Sequence, residues 1–405
     1  MDKHYILFSR NISLKPGNAH EIHDVICANA AANLGYSSVL VYPDPDNTAW
    51  NPVKLLSPFT PRQPDSKFQK FYNSQEKLKV APLPKPWPID RFKGKISGKL
   101  SNFNTILSKY YFPFHILHHT KIVHTRDWNF VKTVIKHKVP VIYERHYYQE
   151  KPFEPEIVSS PFFQIAVTQS EIIRQSLIQY GMPPEKVVWL DNGFEQLFLM
   201  RQPQEAEAWR KELLTDGQKQ LVIYSGSLHG FKGIHILIDA AKELPEIQFA
   251  LTGGTESQLQ EYQEIIRTNN IHNVTFLGWI LPKDRLISLL QAADVLVHPH
   301  CSGNAADFTN PVKFFQYMAS GTPMVATEIG PLMRFKSSPI VAAWCPPDNP
   351  TELAQSIEYT LNTYPRKIEG YGESIKFARQ FSWENRTEKI LSYVQESMRP
   401  KQSTN

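Results

Sequence analysis

Short apolar runs of strand length alternate with helix-length amphipathic stretches through most of this chain, and the alternation starts afresh near its middle. A strand–helix–strand order calls for parallel pairing, because a parallel neighbour can be reached only through a crossover of about a dozen residues or more. In the first half, residues 5–8, 38–42, 121–124, 139–143 and 164–167 read as buried strands, with a helix over about 20–34. Residues 42–88 form a Pro-rich stretch with no readable period. In the second half, residues 220–224, 248–251, 274–277, 295–297 and 323–326 are the strand candidates. A chain of 405 residues can bury two cores of ordinary size. The expected fold class is therefore α/β, as two Rossmann-like doubly wound domains facing an interdomain cleft. The break falls within 191–204, where Asn192-Gly193 favours a turn and Pro203 interrupts regular structure. This gives an N-terminal domain over 1–195 and a C-terminal domain over 196–380. A helix and tail over 381–405 are expected to pack back on the N-terminal domain.

Charge and cysteine usage narrow the function. The formal net charge of +5 is mild and spread along the chain, which argues against nucleic acid as a partner. Cys27, Cys301 and Cys345 have no metal-type spacing, so reduced thiols and a cytoplasmic setting are expected. The apolar stretch in MDKHYILFSRN is too short for a signal peptide, and no run approaches the ~20 residues needed to span a bilayer. Residues 91–126 hold seven Lys or Arg and no acidic residue. Two readings stand for them: peripheral contact with anionic membrane or a lipid-linked acceptor, or a solvated basic face.

Two segments of the second half carry the chemistry. In NPVKFFQYMASGTPMVAT, residues 310–327, Asn310 is expected to cap a helix, with Pro311 in its first turn and Gly321 ending it. Lys313 then sits where the helix macrodipole disfavours a cation, and Gln316 lies on the same face. An anion held by the free N–H groups would reconcile lysine and helix end. In GSLHGFKG, residues 226–233, glycines permit close backbone approach after a strand, and Lys232 offers a compact charge to a phosphate. Both loops should leave the carboxyl ends of parallel strands, where open α/β sheets bind ligands. Two lysines and two helix starts suit a diphosphate. Thr252-Gly253-Gly254 is expected in the same crevice.

These residues resemble the family 4 retaining glycosyltransferases of the GT-B fold (glycosyl transferases group 1). The resemblance rests on Gly226-Ser227-Leu228 with Lys232-Gly233, on FLGWI at 276–280, on ADVLVHP at 293–299 and on NPVKFFQYMA at 310–319. The segment VTQSEIIRQSLIQYGMPPEKVVWLDNG at 167–193 is similar to the family's approach to its interdomain linker. The resemblance implies transfer of a sugar from a nucleotide-diphosphate-sugar donor, with retention, to a glycan, lipid-linked or small-molecule acceptor in polysaccharide biosynthesis.

It further implies that Lys232 balances the leaving diphosphate, aided by N–H groups near Asn310, Pro311 and Val312, and that Lys313 meets phosphate or donor sugar. The backbone of Trp279-Ile280 would read the base, and Gln316 would lie at the ribose. In the first domain, Pro16-Gly17-Asn18 would approach the donor, and His146 of YERH would sit beside the sugar; His124 and Arg126 of HTRD would face the same cleft. No metal and no cofactor are implied, since lysines and helix ends can neutralise the leaving group; Asp44-Pro45-Asp46 reads as a turn. His118-His119 and the pair His20 and His23 are assigned to surface or core. The family commonly has glutamate where Gln316 stands, and its second acidic position falls on Phe308. A catalytically silent GT-B protein binding nucleotide or glycan, or a GT-B sugar-nucleotide epimerase, are the competing readings.

Overall fold

The computed structural model describes residues 3–14, 19–44, 53, 56, 58–83, 107–215, 217–340 and 343–402. Two compact units divide it: Met1–Leu190 together with Glu384–Asn405, and Asp191–Trp383.

The first unit is built on seven parallel strands in the order β3-β2-β1-β4-β5-β6-β7. These are β1 His4–Phe8, β2 Ser38–Pro43, β3 Lys79–Leu83, β4 Thr120–Thr125, β5 Val141–Glu144, β6 Phe163–Thr168 and β7 Val187–Trp189. The middle strands are near-continuous apolar runs because helices cover both faces of a parallel sheet. The helix Ala19–Asn33 crosses from β1 to β2, burying Val25, Ile26 and a run of alanines that lets it lie close on the sheet. The strand order reverses direction between β1 and β4, so the crevice at a topological switch point opens at their carboxyl ends.

Two elements within residues 42–88 were absent from the sequence reading. Residues 42–88, without a period, contain the helix Ser66–Tyr72, capped by Asp65 accepting from the Phe68 N–H at 2.8 Å, and strand β3. Pro82 lies inside β3, which the sheet tolerates because β3 is its edge. At the opposite edge, β7 has only three residues.

The terminal helix Trp383–Ser392 leads into a segment held on the first unit. Asn33 Nδ2 donates to Glu384 Oε1 at 2.8 Å, the Gln395 N–H donates to Gln164 Oε1 at 2.9 Å, and Lys121 Nζ donates to the Ser397 carbonyl at 2.8 Å.

The second unit has six parallel strands in the order β10-β9-β8-β11-β12-β13, the doubly wound order that places its switch point between β8 and β11. They are β8 Leu221–Ser225, β9 Gln248–Thr252, β10 Val274–Gly278, β11 Val295–His298, β12 Met324–Thr327 and β13 Ala343–Cys345. One core packs Phe314, Phe315, Tyr317 and Met318 of the helix Val312–Ser320 against Phe335 and Leu290; the other face seats the helix Ile234–Glu243 on Phe249 and Val297. All three cysteines are buried free thiols.

Candidate functional site

Four strand ends and one helix start converge in the second unit. β8 ends at Ser225, whose N–H donates to the Tyr317 hydroxyl at 2.7 Å, tying the helix Val312–Ser320 to that strand end. Next, the Gly226 N–H donates to the Thr252 carbonyl at 2.8 Å. A Cβ on Gly226 would lie 2.3 Å from the Tyr224 hydroxyl and 2.8 Å from Lys313 Nζ, so the ammonium lies directly over this glycine. Gly253, at φ +108°, brings its Cα so near the Gly226 carbonyl that a Cβ would stand 2.0 Å from the oxygen. Gly233 closes the other end of the loop: at φ +73° its Cβ would fall 1.6 Å from the Pro299 carbonyl, beyond β11. Glycine is required at both positions by contact as well as by backbone angle. The loop 226–233 is thereby clamped across the switch point.

Lys232 and Lys313 meet in this crevice. Burial lowers Lys232 from its ordinary value to about 8, with Nζ 4.9 Å from the Phe231 ring centre. Burial, and then the charge of Lys232, lowers Lys313 to about 7. Two half-buried ammonium groups repel one another and, among the described residues, form no ion pair, the electrostatic setting of an anion site.

His298 and His300, which the sequence reading passed over, lie alongside. Burial, followed by His300 and the two lysines, holds His298 well below the ordinary histidine range. Burial and Lys232 bring His300 to about 4. The His300 Nδ1 donates to the Cys301 carbonyl at 2.8 Å and is therefore the protonated nitrogen, which leaves a bare, buried Nε2 with no hydrogen-bond partner among the described residues. Their signal in the sequence was the His-Pro-His at the end of an apolar strand, read only as part of ADVLVHP.

Asn310 departs from expectation. The helix begins at Val312 with Pro311 at its N-cap and no side-chain cap bond. The Asn310 side chain turns instead to the start of the unit, donating to Asp191 Oδ1 at 2.7 Å and accepting from the Asn192 N–H at 3.2 Å. The Asn192 amide donates back to the Asn310 carbonyl at 2.6 Å, so satisfying a loop prevails over capping a helix.

Gln316 has a partner too. Its Nε2 donates to Glu195 Oε2 at 3.4 Å, and the other oxygen of Glu195 pairs with Lys283. The Ser227 carbonyl accepts from the Tyr224 hydroxyl at 2.8 Å. The Gly278 carbonyl takes the Gly253 N–H at 2.6 Å and the Thr252 hydroxyl at 2.7 Å, leaving Trp279 exposed just beyond β10; Ile280 packs against the core. Gly226, Gly253, Lys232 and Lys313 thus form one group, while Asn310 and Gln316 bond to 191–195. Gly17 and Asn18 lie outside the described residues, as do Asp46 and most of the basic stretch before residue 107.

His146 follows β5 in the first unit and is buried. Its Nε2 lies 2.7 Å from Glu144 Oε1. The same oxygen accepts from Arg386 Nη2 at 2.7 Å and lies 3.2 Å from His23 Nε2, and Oε2 lies 2.9 Å from His124 Nε2. His23, assigned by sequence to surface or core, is a buried member of this network, whereas His20 is exposed with Nε2 2.6 Å from the Tyr147 hydroxyl. Ligand atoms of His23, Cys27 and Glu144 lie within 4.8 Å of one another. The set does not fit a cation, since Arg386 already balances the carboxylate and N–H groups crowd both oxygens.

Residues 219–363 match the family described as Glycosyl transferases group 1. The D-inositol 3-phosphate glycosyltransferase of Corynebacterium aurimucosum is 24% identical over 229 residues, 54% of this chain and 53% of that protein. An uncharacterized glycosyltransferase of Methanocaldococcus jannaschii, MJ1607, is 25% identical over 235 residues, 54% of this chain and 56% of its own. The chain thus spans about half the length of the curated relatives it matches. Among solved structures, Anabaena HepE in complex with UDP and glucose superposes with a TM-score of 0.66 at 19% identity, covering 96% of this chain and 99% of that one. Sucrose-phosphate synthase from Thermosynechococcus elongatus gives the same TM-score at 16% identity, covering 96% and 97%. The fold is that of the GT-B glycosyltransferases.

Proposed function

On the premise that this chain carries a glycosyl transferases group 1 domain in a GT-B fold, we propose that it transfers a sugar from a nucleotide-diphosphate-sugar donor. The observation that carries the proposal is Lys313 lying over the backbone of Gly226 at a sheet switch point, with the charge of Lys232 acting on it. Departure of a nucleoside diphosphate concentrates negative charge on its phosphate oxygens. Two lysines raised in energy by burial and mutual repulsion are stabilised as that charge develops, which is how a preorganised site lowers a barrier. The N–H groups opening the helix Val312–Ser320 add to the same field. The reaction needs no divalent cation on this reading.

Transfer proceeds with retention, as in the family resembled. Gln316 and the glycine-lined crevice at Gly226 and Gly253 hold the nucleotide, and Trp279 with Ile280 meets the base. In the first unit, His146 faces the reacting groups. HepE was solved with UDP and glucose, so UDP-sugars head the donor screen, and the name of the Corynebacterium relative places phosphorylated polyols among the acceptors to try. The competing reading, a silent nucleotide-binding protein, draws on Gln316 standing where the family has glutamate.

Release of free nucleoside diphosphate in the screen decides between them. With a cognate donor, Lys232→Ala should retain the wild-type melting temperature yet lose turnover by a factor of about 10²–10³, the usual effect of removing one oxyanion stabiliser. Wild-type turnover in that variant would place the diphosphate elsewhere. Activity is also expected to survive excess EDTA; loss reversed by Mg²⁺ would refute the metal-free reading.

A further inference from the structure

The carboxylate of Glu144 sits at the centre of a closed hydrogen-bond network in the first unit. It is 1% exposed and ends β5. Burial alone would push its pKa up, but Arg386, His23 and hydrogen bonds from His124 and His146 outweigh that and hold it well below the carboxylate range. An ionised carboxylate only accepts. Every group that touches it must therefore present a hydrogen, which fixes the direction of each bond.

His124 donates Nε2–H to Oε2, and its Nδ1 lies 2.6 Å from the Tyr5 hydroxyl. His146 donates Nε2–H to Oε1, so its own Nδ1 carries the lone pair. Among the described residues nothing hydrogen bonds to that Nδ1. We propose that Glu144, anchored by Arg386 of the terminal helix, is a positioning residue that holds His146 as the Nε2–H tautomer and turns its Nδ1 lone pair to a substrate hydroxyl. The proposal rests on the reading that His146 faces the reacting groups.

The surroundings of His146 favour the neutral ring. Burial acts first and Arg126, just beyond β4, acts second; the charge of His23 from the helix Ala19–Asn33 acts in the same direction, all against the Glu144 carboxylate. His23 itself is held above its ordinary value: burial opposes this, and Cys27, Glu144 and Asp24 prevail. The positive charge thus resides on Arg386, Arg126 and His23, and His146 stays free to accept. Arg386 lies 242 positions from Glu144 in sequence. The terminal segment therefore contributes to the chemistry of the first unit as well as to its packing.

The test uses the full chain with ¹⁵N-labelled histidine. Long-range proton–nitrogen spectra at pH 7, assigned with a His146→Gln control, should show His146 protonated at Nε2 only. A ring protonated at Nδ1, or at both nitrogens, overturns the proposal. Removing one partner would strand a buried charge, so Glu144→Met and Arg386→Met are combined. This double variant should bind nucleoside diphosphate as the wild type does, show a mixture of His146 tautomers, and lose kcat by about a hundredfold at unchanged donor KM, within the usual range for a positioned proton acceptor. A double variant that keeps a single wild-type tautomer also overturns it. The underlying reading fails separately: His146→Ala turning over at the wild-type rate would remove His146 from the reaction, while the spectra alone would still judge whether Glu144 sets its tautomer.

Discussion

Lys313 and Lys232, at about 7 and about 8, bind fewer protons in the fold than in the unfolded chain, where a lysine titrates near 10.5. Because the unfolded state takes up more protons between those values, this pair costs stability at low pH, and the cost lessens as pH rises from about 7 towards 10.5. A diphosphate reverses the balance by restoring the charged forms. Nucleoside diphosphate binding at pH 8 should thus take up about one proton, read as a dependence of the calorimetric enthalpy on the buffer's ionisation heat, and affinity should fall with pH above 8. Binding heats identical in phosphate and Tris buffers would show that neither lysine meets the ligand. Gln316 poses the opposite problem. Its amide donates to Glu195, so Gln316→Glu would set two carboxylates against each other with Lys283 as their shared counter-ion. The expected result is a lower melting temperature and weaker nucleotide binding, by at least the ~1–3 kcal/mol of a buried hydrogen bond left unmade. A tighter complex would mean that ligand hydroxyls, not Glu195, dominate this position.

Elements whose causes are local were legible in the chain. The buried strands of both sheets and the loop 226–233 could be read because apolar runs, glycines and a lysine are neighbours in sequence. Strands β3, β7 and β13 escaped because edge strands are short or contain proline, and nothing in three residues such as Ala343–Cys345 makes a period. The partners of Asn310 escaped for another reason: Asp191 lies 119 positions away, and hydrogen-bond satisfaction across that gap leaves no local pattern. The same holds for Glu144 with Arg386. Within the loop, Gly233 is the most constrained residue. Gly233→Ala adds a methyl group 1.6 Å from the Pro299 carbonyl at a backbone angle that alanine avoids, and overpacking alone costs about 1–3 kcal/mol. The loop should shift rather than the sheet, so nucleotide affinity is expected to fall more steeply than melting temperature. An unchanged affinity would show that the clamp on Pro299 does not shape the site.

The chain divides into two compact units, and its last segment belongs to the first of them although it follows the second in sequence. Glu384, Arg386, Gln395 and Ser397 each bond to residues of the first unit, and Arg386 is foremost among the groups that hold the buried Glu144 carboxylate ionised. Truncation after Trp383 should therefore injure one unit selectively. The strands of the second unit, its two lysines and its glycine clamp all lie between residues 221 and 345, before the cut. The first unit loses the counter-ion of Glu144, and an uncompensated buried charge costs about 3–5 kcal/mol, a large part of a domain's ~5–15 kcal/mol. Differential calorimetry of the truncated chain should show the first unit's transition lowered or gone. The transition that remains should still rise with added nucleoside diphosphate, since only a ligand of the native second unit can raise it. If instead the nucleotide-sensitive transition disappears while the other persists, the terminal segment supports the donor side and the division of labour between the two units is reversed.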